Sequence, residues 1–492
     1  MKYKIIGIVL TVCMLVGAFA TYLVTEPEQG RYHQHVSAKI QPECTDHGDE
    51  KFCTHLPLVQ IDTHGQEIPG KTIRDENKVK IGYTTTPEGE DRIKASIKIF
   101  DSHEHRNHLD DAPELESGMT IHVRGNSSRN FDKSGYAIEF RDENDKRKDL
   151  SVMGMAAHSE WTLHGPFIDK TLMRNYMWYN IGGEIMDYAP NVRFCEVFVN
   201  DEYEGVYVMI EKITAGTNGA RLNLSVDKKD NSYSGYLLQM DKTANNPDKK
   251  ADTFTGYALR RKHEIEIMFP REGSLTPELK SSIEKDFSDF EKALYSYDFD
   301  SNEFGYKALI DVDSFVDYFL INEFTCNYDA GWMSTFIYKD IDGKFRMCIW
   351  DFNSACDAYH HSYLNTDDFQ FTDVLWYWML VKDKDFVNRL IERYHELRQT
   401  YFSVEYLDNY IDGVIDYLGD AIDRNSDRWG YTFGVDYDKF TPQERNPRSY
   451  EDAVEAMRLF IHTRSENMDK NIESLRQFCA ESRIKKFVEN AN

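Results

Sequence analysis

Two aspartates, Asp329 and Asp351, stand at the two ends of a stretch whose pattern predicts a β-hairpin. The runs Thr335–Lys339 and Lys344–Trp350 are rich in β-branched and aromatic residues, and the turn-forming residues Asp340–Gly343 lie between them. Because antiparallel strands return the chain to its starting point, we expect the two carboxylates, 22 positions apart, to be neighbours in space. Close carboxylates repel each other unless a cation or a proton lies between them. The pattern therefore predicts a base and a metal ligand beside a phosphate group.

The two aspartates have different predicted roles. Asp329 follows the predicted helix 312–324 and lies in a loop, where it could accept a proton from a substrate hydroxyl. The alternative for Asp329 is a turn or helix-ending aspartate, which is common. Asp351 ends a strand with an alternating apolar face, so solvation explains it poorly and a metal ligand explains it better.

Two further oxygen-bearing side chains lie close to this pair in the sequence. Asn353 is two positions beyond Asp351 and could add an oxygen atom to the same Mg²⁺ or Mn²⁺ ion. Ser334, five positions after Asp329, could add a hydroxyl, although a polar residue at the start of a strand is the simpler interpretation. We therefore predict a metal site formed by Asp351, Asn353 and Ser334.

A second candidate region follows the predicted strand 119–123. The segment Arg124-Gly-Asn-Ser-Ser-Arg129 offers two guanidinium groups, the Ser127 and Ser128 hydroxyls and backbone amides, a set that can hold phosphate. It is not a P-loop, because the Gly-x4-Gly-Lys-Ser/Thr pattern does not occur, and a purely structural turn is an equal alternative. Lys133, just before the next strand, could reach the same phosphates.

Two more charged residues complete the predicted nucleotide-binding set. Glu211 ends the predicted strand 206–210 and could orient the neighbouring Lys212, or form an ordinary surface salt bridge. Arg174 lies on a predicted helix over 170–186, with Asp169 as a candidate N-cap. Both could face a cleft, and the alternative is a capping and packing pair.

The composition limits the class of protein. The chain has 492 residues, of which 41% are hydrophobic and 13% aromatic, which is enough to build substantial cores and unlike a disordered chain. The net charge of −26 is spread along the chain, which indicates a solvated surface and opposes general binding to nucleic acid.

The N-terminus predicts export. Lys2 and Lys4 precede the uncharged run Ile5–Val24, which is long enough to span a bilayer. Ala18-Phe19-Ala20 would also suit a signal peptidase, so residues 1–24 are a membrane anchor or a cleaved signal peptide, with a buried soluble helix as the alternative. We expect the remaining chain to be extracytoplasmic, either membrane-anchored through residues 5–24 or secreted, with residues 25–55 as a polar tether.

Cys44 and Cys53 lie in this polar stretch and could form a disulfide in an oxidising compartment. The neighbouring His47 and His55 do not give a standard zinc spacing with them, and two free thiols are the alternative.

The order of predicted elements indicates an α+β fold. A strand-rich first half with one internal helix precedes a helix-rich second half, and the hairpin lies near the start of that second half. We expect a β-rich N-terminal region over 56–114 and a catalytic domain over 115–480. Two-lobed kinases have this order, as do many other α+β enzymes.

The motifs between residues 115 and 360 resemble the CotH kinase family, the spore coat protein H group of atypical protein kinases. The matching segments, in order, are Ile121–Arg129, Met153–Met155, Asp169–Asn175, Gly205–Lys212, Gly235–Leu238, Asp329 and Trp350–Asp351. The resemblance implies an atypical protein-kinase-like two-lobed fold that binds ATP with Mg²⁺ or Mn²⁺ and phosphorylates Ser or Thr of a protein. It also implies that Asp329 is the catalytic aspartate and Asp351 the metal-binding one.

Ser334 departs from the resemblance, because many relatives carry Asn there. This departure and the predicted export, to a space where ATP is scarce, favour an alternative: a non-catalytic pseudokinase that works as a surface or coat-assembly binding protein or adhesin. The intact Asp329 and Asp351 oppose it. A metal-dependent hydrolase that uses the same carboxylates to activate water is a third possibility.

Overall fold

The computed structural model describes residues 31–40, 51–216, 221–227, 233–244, 246–356, 366–434 and 446–483. The predicted anchor or signal peptide and Cys44 lie outside these ranges, while Cys53 carries a free thiol. Within the described ranges, none of the helices has the length and apolar character needed to cross a bilayer.

The strands are β1 Leu58–Asp62, β2 Thr72–Arg74, β3 Lys80–Tyr83, β4 Ile93–Phe100, β5 Leu115–Val123, β6 Tyr136–Arg141, β7 Leu150–Val152, β8 Met155–His158, β9 Glu160–His164, β10 Val192–Val199, β11 Glu202–Glu211, β12 Ala215–Gly216, β13 Leu222–Asn223, β14 Tyr236–Asp241, β15 Lys250–Ala251, β16 Glu264–Phe269, β17 Thr335–Lys339 and β18 Arg346–Cys348. The helices are α1 Gln34–Ser37, α2 Arg174–Ile185, α3 Phe254–Tyr257, α4 Pro277–Leu294, α5 Val312–Thr325, α6 Tyr377–Leu380, α7 Lys384–Arg398, α8 Val404–Leu418, α9 Ala421–Trp429 and α10 Tyr450–Asn471.

Seven strands of the first half form a closed barrel in the order β1-β10-β11-β9-β6-β5-β4. Alternate residues of these strands point inward, and side chains such as Val59, Ile97, Ile121 and Met209 fill the interior. β1 and β4, from the predicted N-terminal region, thus share one barrel with strands that follow residue 115. This closure could not be predicted from the sequence, because it depends on the parallel pairing of Leu58 with Glu196, which lie far apart in the chain.

The second sheet has five strands in the order β15-β16-β14-β17-β18. The predicted hairpin is confirmed: β17 and β18 are antiparallel, with Phe336 opposite Cys348 and Tyr338 opposite Arg346. On its other side β17 pairs with β14, so that Met240 lies opposite Thr335. The ends of β14 and β18 therefore lie on either side of the residue that begins β17.

The helices of the second half pack around this sheet and share one apolar core with α2. The predicted α+β class and the helix-rich second half are confirmed. Helix α5 begins after Asp311, whose carboxylate accepts a hydrogen bond from the Ser314 amide at 3.1 Å, and ends at Cys326, which adopts a left-handed conformation.

The predicted N-cap of α2 is wrong. Met173 is the N-cap residue and makes no side-chain capping bond. Asp169 lies further upstream, and its carboxylate accepts the Arg174 amide hydrogen at 2.8 Å, because the chain makes one additional turn before the helix begins.

Candidate active site

Asp329 lies in the turn between α5 and β17, and the backbone of this turn is well bonded. The Asp329 carbonyl accepts hydrogen bonds from the amides of Trp332 and Met333, at 3.2 and 2.8 Å. Buried Asn327 donates from its side chain to Asn322 of α5 at 3.0 Å. The turn is thereby fixed to the end of the helix, which holds the half-buried Asp329 carboxylate in one place.

Asp351 follows β18 and is held by its backbone rather than by a strand partner. Its φ of 64° lies in the left-handed region, where a residue with a Cβ is strained. Its amide donates a hydrogen bond of 2.9 Å to the hydroxyl of Tyr179, and the next amide, of Phe352, donates to Asn175 at 2.7 Å. Both acceptors belong to α2, so this helix fixes the conformation of the Asp351 loop.

The structure brings Asp329 and Asp351 together, as predicted from the hairpin. Burial, and then the negative charge of Asp351, raise the pKa of Asp329 to about 6. Burial also raises the pKa of Asp351, while Arg124 and the backbone amide of Asn353 lower it. The charge of Asp351 therefore acts on Asp329, and a cation bound beside Asp351 would favour the ionised form of both carboxylates.

A third carboxylate, Asp241, was not predicted as a site residue. Its charge raises the pKa of both Asp329 and Asp351. Asp241 ends β14, which pairs with β17, so it arrives beside the start of the hairpin. A signal existed in the sequence, because Asp241 follows an apolar run as Asp351 does, but only the sheet order shows that the two segments meet. Asp351 itself lies three residues beyond the end of β18, at Cys348, and so does not end the strand as predicted. Lys242, next to Asp241 in the chain, lowers the pKa of Asp329.

The other predicted metal ligands lie in the same region. Ser334 directly precedes β17, is half-buried, and has a φ of 50°, which is again left-handed. Asn353 is half-buried and its backbone amide binds the Asp351 carboxylate. Among the residues that the structure describes, no three His, Cys, Asp or Glu side chains are placed to hold a metal ion by themselves. The oxygen donors present are of the type that Mg²⁺ uses together with substrate phosphates and water.

Arg124, predicted as a phosphate ligand, lies near Asp351. It follows β5, its guanidinium lies 5.5 Å from the centre of the Trp350 ring, and its charge lowers the pKa of Asp351. The loop after it is compact: Gly125 has a φ of +106°, and a Cβ there would lie 1.9 Å from the Ser128 hydroxyl. Ser128 is half-buried in this loop, while Ser127 is exposed. The loop therefore begins with a cation beside Asp351 and carries the exposed Ser127 three positions further on.

Three of the predicted nucleotide-binding residues, Lys133, Glu211 and Arg174, are buried and make hydrogen bonds to other parts of the protein. The ammonium group of Lys133 is buried and donates to Asn425 of α9 at 2.7 Å, and burial lowers its pKa well below the usual range. The Glu211 carboxylate is also buried and accepts from the amide and side chain of Asn191, at 2.9 and 3.1 Å. The structure does not bring either side chain to Asp329 or Asp351.

Arg174 is buried as well, and its contacts support the capping and packing alternative. Its guanidinium donates to Asp169 at 2.6 Å and to the carbonyl of Ala355 at 2.8 Å. Ala355 belongs to the loop that follows Asp351. Arg174 therefore holds that loop against α2 rather than presenting its charge to a cleft.

Comparison with protein families identifies the chain. The family described as CotH kinase protein matches residues 121–468, which include both aspartates and most of the barrel. The chain therefore belongs to the CotH kinase family. A comparison with curated proteins gives no match to this chain.

Proposed function

We propose that this protein is an ATP-dependent and divalent-metal-dependent protein kinase that transfers the γ-phosphate to Ser or Thr hydroxyls of a protein. One observation carries the proposal: the charges of Asp351 and Asp241 raise the pKa of Asp329, and the pKa of Asp351 is raised by Asp241 and lowered by Arg124, so these groups lie within electrostatic range of one another. Family membership supports the same assignment. In this proposal the barrel and the helical half act as the two lobes of a kinase-like fold.

Asp329 is the general base of the proposed reaction. Its pKa of about 6 lies just below neutral pH. At pH 7 most of the Asp329 carboxylate is therefore ionised, and it is a stronger base than an aspartate of ordinary pKa. It accepts the proton of the substrate hydroxyl while the hydroxyl oxygen forms a bond to the γ-phosphorus. The bond from the γ-phosphorus to the bridging oxygen breaks, and ADP leaves with the electron pair.

Asp351 would hold the metal ion, with Asp241, Asn353 and Ser334 as further candidate oxygen donors. A bound Mg²⁺ or Mn²⁺ supplies positive charge that neutralises the phosphate oxygens. Arg124 would bind a phosphate oxygen, since its guanidinium already lies close enough to the Asp351 carboxylate to lower its pKa. Ser127 and Ser128 offer hydroxyl and amide hydrogens from the same loop.

Incubation of the purified protein with labelled ATP and Mg²⁺ or Mn²⁺ tests this function. We expect label on the protein itself or on an added Ser-rich protein, and its loss in Asp329→Asn and in Asp351→Ala. Asp289→Asn is the matched control, because Asp289 lies on the exposed side of α4 in an ion pair with Lys285. Equal labelling in all three variants would remove the two aspartates from the mechanism.

Two other experimental results would indicate a different function. Phosphate release without labelled protein would indicate a hydrolase. Melting temperatures that do not change at millimolar ATP and Mg²⁺ would indicate a protein that works by binding partners, because a ligand that binds the native state must stabilise it.

We also propose that the protein acts outside the cytoplasm, anchored through residues 5–24 or secreted, on cell-surface or spore-coat proteins. The support is the charge pattern around that apolar run. Fractionation of cells that produce the full chain tests the location: recovery in the cytoplasmic fraction alone would contradict it.

A further inference from the structure

Residues 31–38, which lie within the predicted polar tether, are packed against the domain; we call them the N-terminal strap. Gln34 is only 3% exposed. Its side-chain amide donates to the Phe194 carbonyl at 3.2 Å and accepts from the Phe194 amide at 2.7 Å. Gln34 thus pairs with the backbone of β10 as a neighbouring strand would, which fixes the strap to the barrel.

Arg31 attaches the strap to α2 and to the chain that follows it. Its guanidinium donates to the Asn180 side chain at 3.0 Å, to the Ala189 carbonyl at 3.0 Å, and to the Pro190 carbonyl. A Cβ on Gly183 would lie 1.9 Å from the nearest guanidinium nitrogen and 2.4 Å from Cζ. A glycine at position 183 therefore leaves the space that Arg31 occupies.

The two histidines of the strap contact the same helix. The backbone amide of His35 donates to the Tyr176 hydroxyl at 3.1 Å, and its ring nitrogen Nδ1 lies 3.0 Å from the same oxygen. His33 Nε2 lies 2.7 Å from the Glu184 carboxylate. The strap thus contacts positions 176, 180, 183 and 184 of α2, which have the spacing of one helix face.

A different face of α2 serves the active site. Asn175 and Tyr179 accept the amide hydrogens of the Asp351 loop. A Cβ on Gly182 would lie 2.1 Å from Cδ1 of Ile349, so this glycine lets the strand that leads to Asp351 pack closely. Positions 175, 179 and 182 again have the spacing of one helix face, next to the strap face.

The sequence of α2 gives it a weak tendency to form a helix by itself, so its contacts with the strap and with the Asp351 loop stabilise it. Two consecutive glycines, Gly182 and Gly183, occupy its last turn, and glycine is the weakest helix former after proline. Gly182 leaves space for Ile349, in the segment that leads to Asp351, and Gly183 leaves space for Arg31 of the strap. The order of α2 therefore depends on the partners on both faces more than on its own sequence.

We infer that the N-terminal strap positions Asp351 through α2, with Arg31 and Gln34 as positioning residues. The strap precedes the matched family region, 121–468, so family membership does not assign it a role. The inference rests on the proposed function only where activity is measured. The effect on the conformation of the Asp351 loop is independent of it.

Hydrogen exchange of the full chain tests the inference. Gln34→Ala removes the pairing with β10, and Gly183→Ala displaces Arg31 although alanine is the better helix former. Val36→Ala is the matched control, since Val36 lies in the strap but is 74% exposed. We expect the amides of the strap and those of Asp351 and Phe352 to exchange about two- to tenfold faster in both variants, the factor that follows from one lost hydrogen bond.

The control variant should exchange like the parent protein. Faster exchange of the strap with unchanged exchange at Asp351 and Phe352 would overturn the inference, and so would unchanged strap exchange in both variants. If Gln34→Ala does not fold, Gly183→Ala alone decides between these outcomes. In a kinase assay, the variants should lower kcat more than they raise KM for ATP; a parent protein without activity would refute the proposed function and leave the exchange result intact.

Discussion

The backbone amide of Asp351 donates a hydrogen bond of 2.9 Å to the phenol oxygen of Tyr179, across the boundary between the second sheet and helix α2. Asp351 has a left-handed backbone and no strand partner, so this bond and the one from Phe352 to Asn175 define where the carboxylate lies. The candidate active site therefore depends on a helix that contributes no charged group to it directly.

Tyr179→Phe tests this dependence. The substitution leaves the Asp351 amide without its acceptor, and a buried amide without a partner costs about 1 to 3 kcal/mol. We expect a lower free energy of unfolding, measured by denaturant titration, and lower activity in the labelled-ATP assay. Tyr257→Phe, on a side chain that is 75% exposed, is the control. Equal stability of the two variants would show that the Tyr179 hydroxyl does not hold the loop.

Asp329→Asn should stabilise the protein while it abolishes the proposed activity. The pKa of Asp329 in the folded protein is about 6, against an ordinary value of 3.8, so the folded state disfavours the charged form. Above pH 6 the charged Asp329 carboxylate lowers the free energy of unfolding by about 1 to 3 kcal/mol, and its partial exposure to solvent places the effect towards the lower end of this range. The asparagine variant has no charge at this position and avoids this loss of stability. The gain in melting temperature should be largest at pH 7 to 8 and should shrink as the pH falls through about 6 towards about 4. A gain that does not change with pH would contradict the raised pKa.

Asp241→Asn tests the acid that the sequence analysis missed. If Asp241 shares the cation with Asp351, its neutralisation should lower the stabilisation of the protein by Mn²⁺, because the free energy gained from a bound metal grows with the logarithm of its concentration divided by its Kd. The measurement is the melting temperature as a function of Mn²⁺ concentration, with Asp289→Asn as the control. An unchanged metal dependence would place Asp241 outside the metal site.

Lys133→Met separates a structural from a nucleotide-binding role for this lysine. The variant removes a buried hydrogen bond to Asn425, so we expect a loss of about 1 to 3 kcal/mol in the free energy of unfolding. The KM for ATP of the folded variant should stay within about twofold of the parent value, because among the residues that the structure describes Lys133 shares no hydrogen-bond partner with Asp329 or Asp351, and distant substitutions act nearly independently. A large rise in KM with unchanged stability would instead restore the predicted contact with phosphate.

Acid should loosen the N-terminal strap. Burial, and then the neighbouring His33, lower the pKa of His35 from 6.5 to about 4. The groups that face His35 are Tyr176, Tyr410 and His33, and the carboxylate of Glu184 lies beyond His33. The folded state thus favours the neutral ring, so docking should weaken as the pH falls from about 6.5 to about 4. Exchange of strap amides, corrected for the intrinsic pH dependence, should rise over this range.

His35→Gln is the matched variant for the acid effect. It keeps a polar side chain but removes the titrating group, so the rise in exchange should become smaller. The same pH dependence in this variant and in the parent would assign the effect to another group, and His33 with its Glu184 partner would be the first to test.

The sequence by itself determined the local parts of this site. The hairpin after Asp329, the helix α5 before it and the resulting proximity of Asp329 and Asp351 follow from short-range patterns, because a four-residue turn brings its two strands together without help from the rest of the chain. The compact loop after Arg124, with its two hydroxyls and its cation, could also be recognised locally, since its groups are adjacent in sequence.

Only the tertiary structure decided the rest. Asp241 reaches the site because β14 pairs with β17, the barrel closes because β1 pairs with β10, and Lys133 lies in the interior because α9 covers it. These contacts join segments that are tens to hundreds of residues apart, and their energy comes from burial and packing of complete elements rather than from local pattern. The docking of the strap on α2 is of the same kind. The polar composition of residues 31–38 is typical of a tether, and only the contacts of Arg31 with α2 and of Gln34 with β10 make this segment part of the domain.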